Sequence, residues 1–280
     1  MKWKKNILDL YKGEVLLVNN IKYKLYHGDC IEVMDRLIEK GVKVDLTLTS
    51  PPYDDLRNYN DSLIWNFDIF KQVADRLYKI TKDGGIIVWV IGDKTENGSE
   101  SGSSFKQALY FKEIGFNLHD TMIYAKNNPM PNSNSKRYTQ AFEYMFVLSK
   151  GKIKTFNPIM EKSKYGGQFD FGKSFTLNKN GEQIIKKRKK INEYKKTSNI
   201  FYYTVGSTAN KGIKHPAIFP EKLAEDNILT WSNEGDLILG CFMGSNTTGK
   251  MALLNNRNYI GIEKVKEYFE IAENRLKNIL

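Results

Sequence analysis

The residues best suited to chemistry stand at Ser50-Pro51-Pro52-Tyr53, directly after the apolar and β-branched run Val44 to Thr49. Two successive prolines fix φ and remove two N–H donors, which leaves a rigid turn whose carbonyls are unpaired. The Ser50 hydroxyl and the Pro51 carbonyl can both accept from one exocyclic NH₂ group, and Tyr53 offers a ring on which a base can stack. Taken alone, S-P-P-Y is equally an ordinary turn at the end of a strand.

A second constellation runs from Gly235 to Lys250 (GDLILGCFMGSNTTGK) and continues at Arg257 to Glu263 (RNYIGIE). A strand that ends in a Gly/Ser/Thr loop and opens a helix lets backbone approach a cofactor closely, and an acidic residue closing the next strand can bind ribose hydroxyls. Any Rossmann-like fold uses these parts, so by themselves they fit a nicotinamide dinucleotide equally well. Gly249-Lys250 is not a Walker A motif, because Met251 follows where Ser or Thr is needed.

Other chemistries lack their residues. The two cysteines follow Asp29 and Gly240, so there is no Pro-Cys pair to supply the thiolate of carbon-5 cytosine methylation, no disulfide framework and no four-cysteine zinc site. A zinc deaminase would need H-x-E with P-C-x-x-C. His27, His119 and His215 are scattered without ligand spacing, so no metal is expected.

The elements that must position these residues alternate. Strands are predicted over 22–26, 44–49, 85–91, 118–125, 142–148, 236–241 and 259–263. Helices are predicted over 31–40, 67–80, 105–114, 223–229 and 265–280, where apolar residues recur at spacings of three and four. Strands separated by helices predict a parallel sheet covered on both faces. The segment 150–208 loses this rhythm and reads as an insert.

Of 280 residues, 41% are hydrophobic and 27% charged, which suits a globular α/β domain with an insert and argues against disorder. No apolar run approaches the roughly 18 residues of a membrane span, and no apolar h-region follows the basic Met1 to Lys5, so a cytoplasmic protein is expected. The net charge is +11. Between Lys150 and Lys196 fourteen basic residues face four acidic ones, so nearly all the excess lies in the insert. Clustered cations of this kind suit a polyanion, although a solvated linker has the same composition.

Together the motifs resemble the amino-group DNA methyltransferases of restriction-modification type, in the permuted β class whose catalytic motif precedes the cofactor motif. TSPPY at 49–53 matches the catalytic motif, FMGSNTTGKMALLNNRNYIGIEK at 242–264 resembles the cofactor loop with its helix and acidic strand, HPAIFPEKL at 215–223 is similar to the H-P-A-x-F-P segment, and Gly28-Asp29-Cys30 to the G-D element. The order of the four motifs spans most of residues 22–280. Three positions depart: Gly240-Cys241-Phe242 replaces D-P-F, and Asn246 stands where G-S-G-T has its second glycine.

The resemblance implies a Rossmann-like α/β sheet, mostly parallel with one antiparallel strand, in circularly permuted order. It divides the chain into a catalytic first part (1–126), a target-recognition insert (127–210, including a last sheet strand at about 142–148) and a second catalytic part (211–280). It implies S-adenosylmethionine as cofactor, with Asp29, His215, Phe242, Gly244, Ser245, Asn246, Thr247 and Glu263 around it. Ser50, Pro51, Pro52 and Tyr53 become the catalytic slot, and Arg57 with Lys186, Lys187, Arg188, Lys189 and Lys190 the DNA contacts. The expected partner is double-stranded DNA and no membrane, with a second copy of the chain and a separately encoded restriction endonuclease as further candidates. Ser before P-P-Y is typical of N4-cytosine enzymes, whereas Asp or Asn is typical of N6-adenine enzymes. The loop departures leave a non-catalytic DNA-binding relic as a third reading. The segment 54–65, with Arg57, Tyr59 and Trp65, suits closure over a flipped nucleotide and equally an exposed surface loop.

Overall fold

The computed structural model describes residues 16–18, 21–52, 65–131, 136–169, 175–185, 189–206 and 220–279. Of the residues singled out above, Tyr53, Arg57, Tyr59, Lys186, Lys187, Arg188 and His215 lie outside them.

In chain order the first half contains β1 (Leu16–Val18), β2 (Ile21–His27), α1 (Cys30–Glu39), β3 (Val44–Thr49), α2 (Phe67–Ile80), β4 (Thr81–Ile91), β5 (Thr95–Glu96), β6 (Ser99–Glu100), α3 (Ser103–Glu113), β7 (Asn117–Lys126) and β8 (Phe142–Ser149). Then come β9 (Met160–Lys162), β10 (Phe175–Leu177), β11 (Gln183–Ile185), β12 (Tyr194–Lys196), β13 (Ile200–Tyr203), α4 (Glu221–Trp231), β14 (Leu237–Gly240), α5 (Thr247–Leu254), β15 (Asn258–Glu263) and α6 (Lys266–Lys277).

Nine strands form one sheet in the order β1-β2-β15-β14-β3-β4-β8-β7-β13. From β2 to β4 every pairing is parallel, β8 runs antiparallel between β4 and β7, and the short β1 turns back against β2 at one edge. The predicted α/β class and the seven predicted strands are thus present. Sequence reading missed β13, which pairs parallel with β7 at the other edge. Its four residues (IFYY) are too few for a periodic pattern to show.

Strand side chains alternate between two cores, as a sheet covered on both faces requires. In β4, Ile86, Val88 and Val90 enter one cluster while Ile87, Trp89 and Ile91 enter the other. Helices α4, α5 and α6 cover the first face through residues such as Leu223, Ile228, Ala252 and Leu276. Helices α1, α2 and α3 cover the second through Val33, Leu37, Phe70, Leu77 and Phe111. The local chemistry starts these helices: Asn66 Oδ1 accepts from the Ile69 N–H at 2.9 Å and caps α2, a contact of the N-cap type. Helix α3 begins at Gly102, which has no capping side chain, and Asp93 after β4 accepts from the Ser104 N–H at 3.0 Å instead.

The connections reverse between β14 and β3. From β14 the chain crosses one face through α5 to β15, and from β3 it crosses the opposite face through α2 to β4. A parallel sheet opens a crevice at its carboxyl ends where the winding changes direction. Thr49 to Pro52 of the first motif lie there at the end of β3, and so does the Gly/Ser/Thr loop at the end of β14, although about 190 residues separate them in the chain.

The segment expected to be an insert, 127–210, divides. Strands β8 and β13 belong to the main sheet, and β8 is an interior strand there rather than the last. A separate compact unit comprises only Pro158–Ser198. Within it β9 pairs with β12 and β10 with β11, both antiparallel. The expected boundaries were wider because loss of α/β rhythm and gain of charge do not coincide with the point where chain contacts separate.

Candidate active site and cofactor loop

At the end of β3, Thr49 is buried, Ser50 half-buried, Pro51 buried and Pro52 half-buried. This strand end is tied to the neighbouring loop, since Thr248 Oγ1 in α5 donates to the Leu48 carbonyl at 3.4 Å.

The loop after β14 is held by backbone bonds. The Met243 N–H donates to Ile262 O at 2.9 Å and the Asn246 N–H to Met243 O at 2.8 Å. Asn246 adopts left-handed backbone (φ 63°, ψ 39°), which Asn tolerates better than other side chains do. Its carboxamide accepts from the Gly249 N–H at 3.1 Å and caps α5. The replacement of the family's glycine by Asn246 therefore keeps the turn and adds a helix cap.

Glu263 closes β15 with 8% exposure. Its Oε2 accepts from the Gly244 N–H at 2.8 Å and its Oε1 from the Val265 N–H at 2.9 Å. A carboxylate has about four lone-pair sites, so each oxygen retains capacity for a further donor such as a ribose hydroxyl. Burial raises the carboxyl above its ordinary value, and the N–H groups of Val265 and Gly244 offset that only in part.

Asp29 lies beside this strand end, because β2 pairs with β15 in a register that places His27 opposite Glu263. Its Oδ1 accepts from the Ile31 N–H at 2.9 Å as the N-cap of α1, and its Oδ2 pairs with Lys264 at 3.2 Å.

The departure at Gly240 has a structural counterpart. A Cβ at Gly240 would collide with the Tyr259 hydroxyl, so the phenol occupies the space into which a side chain at 240 would grow. That hydroxyl is buried and has no hydrogen-bond partner among the described residues. The loop shape and the acidic strand end fit a nucleoside cofactor, while residue 240 offers it no carboxylate.

Neither cysteine is suited to act as a nucleophile. Burial pushes the Cys241 thiol up to about 12, and burial, with nearby Cys241 and Asp29, raises Cys30. Among the described residues no group of three or more metal-ligating side chains is present, and no helix is long and apolar enough to cross a membrane.

The structure corrects a second expectation. Trp65 does not stand on a closing loop: it is 9% exposed and its ring meets Phe242 at 5.3 Å and Phe70 at 6.5 Å, both edge-on. An indole this apolar gains more from the core than from water, and it supports the first residue of the cofactor loop. Lys189 and Lys190 are exposed in the Pro158–Ser198 unit, where Lys190 bridges to Phe169.

The sheet thus brings Ser50, Pro51 and Pro52, the loop 242–247, Glu263 and Asp29 to the carboxyl ends of neighbouring strands. Sequence reading did not foresee Glu221, Lys250 and Arg275 at the back of the loop. Only the position of Glu221, directly after the H-P-A-x-F-P segment, hinted at a role.

This fold and motif placement define a DNA methylase: the DNA methylase family model (N6_N4_Mtase) matches residues 44–274, and the chain belongs to that family. The chain is similar to the orphan methyltransferase M.BamHII of Bacillus amyloliquefaciens, with 54% identity over 245 residues, 85% of this chain and 90% of the relative. It is 27% identical to the type II methyltransferase M.HinfI of Haemophilus influenzae, over 94% of this chain and 70% of the relative. Among solved structures it resembles the M1.HpyAVI–SAM complex, with a TM-score of 0.63, 27% identity and coverage of 91% of this chain and 98% of that one. The cytosine-N4-specific PvuII DNA methyltransferase shares the fold, with a TM-score of 0.67 at 20% identity over 95% of this chain and 89% of that one.

Proposed function

We propose that this DNA methylase uses S-adenosylmethionine to methylate the N4 amino group of cytosine in duplex DNA at specific sites. The observation that carries the choice is Ser50 followed by Pro51, set at the end of β3 beside the cofactor loop of β14.

An exocyclic amine on a base is a poor nucleophile, because its lone pair is delocalised into the ring. The Ser50 hydroxyl and the Pro51 carbonyl accept hydrogen bonds from its two N–H groups, which favours a pyramidal nitrogen with a localised lone pair. These acceptors are fixed by the strand end and the prolines before reaction, so they oppose little reorganisation when charge develops on nitrogen. When bound, S-adenosylmethionine supplies the electrophilic methyl group. Glu263 holds the ribose hydroxyls, Asp29 lies near the adenine, and Phe242, Gly244, Ser245, Asn246 and Thr247, with His215, form the remaining cofactor contacts. Since the amine is paired and stacked in a duplex, the base is flipped out to meet the slot and stacks on Tyr53.

Target recognition belongs to the segment around Pro158–Ser198, supported by its concentration of charge. Arg57 and Lys186 to Lys190 contact phosphate, which positions the duplex without reading bases. The type II name of M.HinfI, at 27% identity, supports a restriction-modification role with a separately encoded endonuclease as partner, whereas the orphan name of M.BamHII, at 54%, supports action without one; a second copy of the chain is a further candidate partner.

The alternative, N6-adenine, shares every part except the preference drawn from Ser50. Purified protein given methyl-labelled S-adenosylmethionine and duplex DNA should place the label on cytosine N4. Label on adenine N6 selects the alternative, and absence of cofactor binding by calorimetry selects the DNA-binding relic.

A further inference from the structure

Behind the cofactor loop, three segments that are distant in sequence meet at one carboxylate oxygen. Glu221, the first residue of α4, accepts on Oε1 from Lys250 Nζ in α5 and from Arg275 Nη2 in α6, each at 2.6 Å. The other guanidinium nitrogen of Arg275, Nη1, donates to the Ser245 carbonyl at 2.9 Å, to Thr247 Oγ1 at 2.8 Å and to Ser245 Oγ at 3.3 Å. The Arg275 side chain is only 9% exposed. Burial of Glu221 opposes its ionisation, yet the hydrogen bonds and charges of Lys250 and Arg275 outweigh that and hold its carboxyl below the ordinary value.

An arginine in the last turn of a helix ordinarily complements the terminal carbonyls of its own helix. Arg275 reaches a different segment, and α6 is held against the sheet by Ala272 and Leu276, which are fully buried. Its planar fork suits the task, since it spans a carboxylate on one side and a carbonyl and hydroxyl on the other, which a lysine ammonium cannot do with equal order.

We infer that Arg275 is a positioning residue for cofactor binding: anchored by Glu221, it fixes Ser245 and Thr247 from behind and so holds the cofactor loop in its binding shape before the cofactor arrives. Without the brace, ordering the loop would be charged against binding, and affinity would fall while the chemical step, performed at Ser50 on another strand, would not. This rests on the reading of the loop as the S-adenosylmethionine site.

The test is calorimetry of S-adenosylmethionine binding to full-length wild type, Arg275→Met, Arg275→Lys and Glu221→Gln, with melting temperatures and steady-state rates on duplex DNA. Arg275→Met should weaken cofactor binding and raise the cofactor KM by about tenfold or more, with kcat at saturating cofactor and the affinity for DNA held within about twofold. Arg275→Lys should recover part of the loss, and Glu221→Gln, which keeps the guanidinium but weakens its anchor, should lie between wild type and Arg275→Met. If Arg275→Met does not fold, the graded losses in the other two variants carry the test. Unchanged cofactor affinity in folded variants, with a lowered melting temperature alone, would make Arg275 a purely structural residue and overturn the inference. Wild type that binds no cofactor would instead overturn the reading of the loop.

Discussion

The Glu263 carboxylate accepts the Gly244 N–H at 2.8 Å, so the acidic end of β15 and the turn of the cofactor loop form one hydrogen-bonded unit. On the proposed reading, loss of the carboxylate therefore removes a ribose acceptor and loosens the loop together. Glu263→Ala should weaken S-adenosylmethionine binding by at least about tenfold, the scale of losing hydrogen bonds to a charged group, while DNA binding changes little. Titration calorimetry checks this, and unchanged cofactor affinity would show that the β14–β15 strand ends are not the cofactor site.

The same carboxyl predicts a pH dependence. On the proposed reading its ionised form accepts the ribose hydroxyls beside the Gly244 and Val265 N–H groups, and burial raises it above its ordinary value. Cofactor affinity should accordingly fall as the pH is lowered through that raised value, earlier than an exposed glutamate would allow. The sign is opposite for the stability of the cofactor-free protein. A carboxyl raised in the folded state binds more protons there than in the unfolded chain, so its contribution is fullest below the unfolded value and declines as pH rises through the folded one. Calorimetric affinity and denaturant midpoints measured across the acid range should therefore move in opposite directions for this group. Parallel movement, or no dependence removed by Glu263→Gln, would contradict it.

At the end of β3, Ser50→Ala should lower turnover by roughly tenfold to a thousandfold, the scale of one preorganised polar group, with cofactor binding intact. Tyr53→Ala should remove a stacking platform worth about 1 to 3 kcal/mol. Rates measured at saturating S-adenosylmethionine distinguish these from binding defects. Near-normal methylation by both variants would remove the slot from the mechanism.

Gly240 and Tyr259 should behave as a pair. Restoring the family's residue by Gly240→Asp drives a side chain into the Tyr259 hydroxyl and should lower stability by about 1 to 3 kcal/mol, as overpacking does. In a Tyr259→Phe background the loss should be smaller, because the colliding atom is gone and a buried hydroxyl without a partner goes with it. Equal losses in the two backgrounds, read from denaturant midpoints, would mean that the positions are independent.

Replacing Lys186, Lys187, Arg188, Lys189 and Lys190 by Gln should weaken DNA binding uniformly across sequences, with each lost phosphate contact flattening the salt dependence by about one unit of slope. The methylated site should stay the same. An unchanged slope would identify the run as a solvated face, and an altered site would mean that these side chains reach base edges.

Much of this arrangement is legible in sequence because it rests on local signals. Val44 to Thr49 followed by two prolines marks a strand and its end, and the helix spacing of Phe70, Val73, Ala74, Leu77 and Ile80 marks α2. The motif order pointed to the family and, through it, to a Rossmann-like, mostly parallel sheet in permuted order. What stayed illegible is long-range: spacing places Arg275 beside the apolar stripe of α6, three residues after Ala272, but no local signal names Glu221, Ser245 and Thr247 as its partners. Trp65 follows a polar stretch that gives no sign of its burial against Phe242. The edge strand β13 is too short for a periodicity to show, so the return to the main sheet directly after Ser198 left no mark in the sequence.

Mass spectrometry of nucleosides from DNA of a strain that expresses this chain and has no other methyltransferase tests the central claim most directly. N4-methylcytosine should appear, and should disappear when Ser50→Ala is expressed instead. N6-methyladenine in its place would contradict the assignment of cytosine to the Ser50 slot, and unmodified DNA from a strain with folded protein would contradict the enzyme itself.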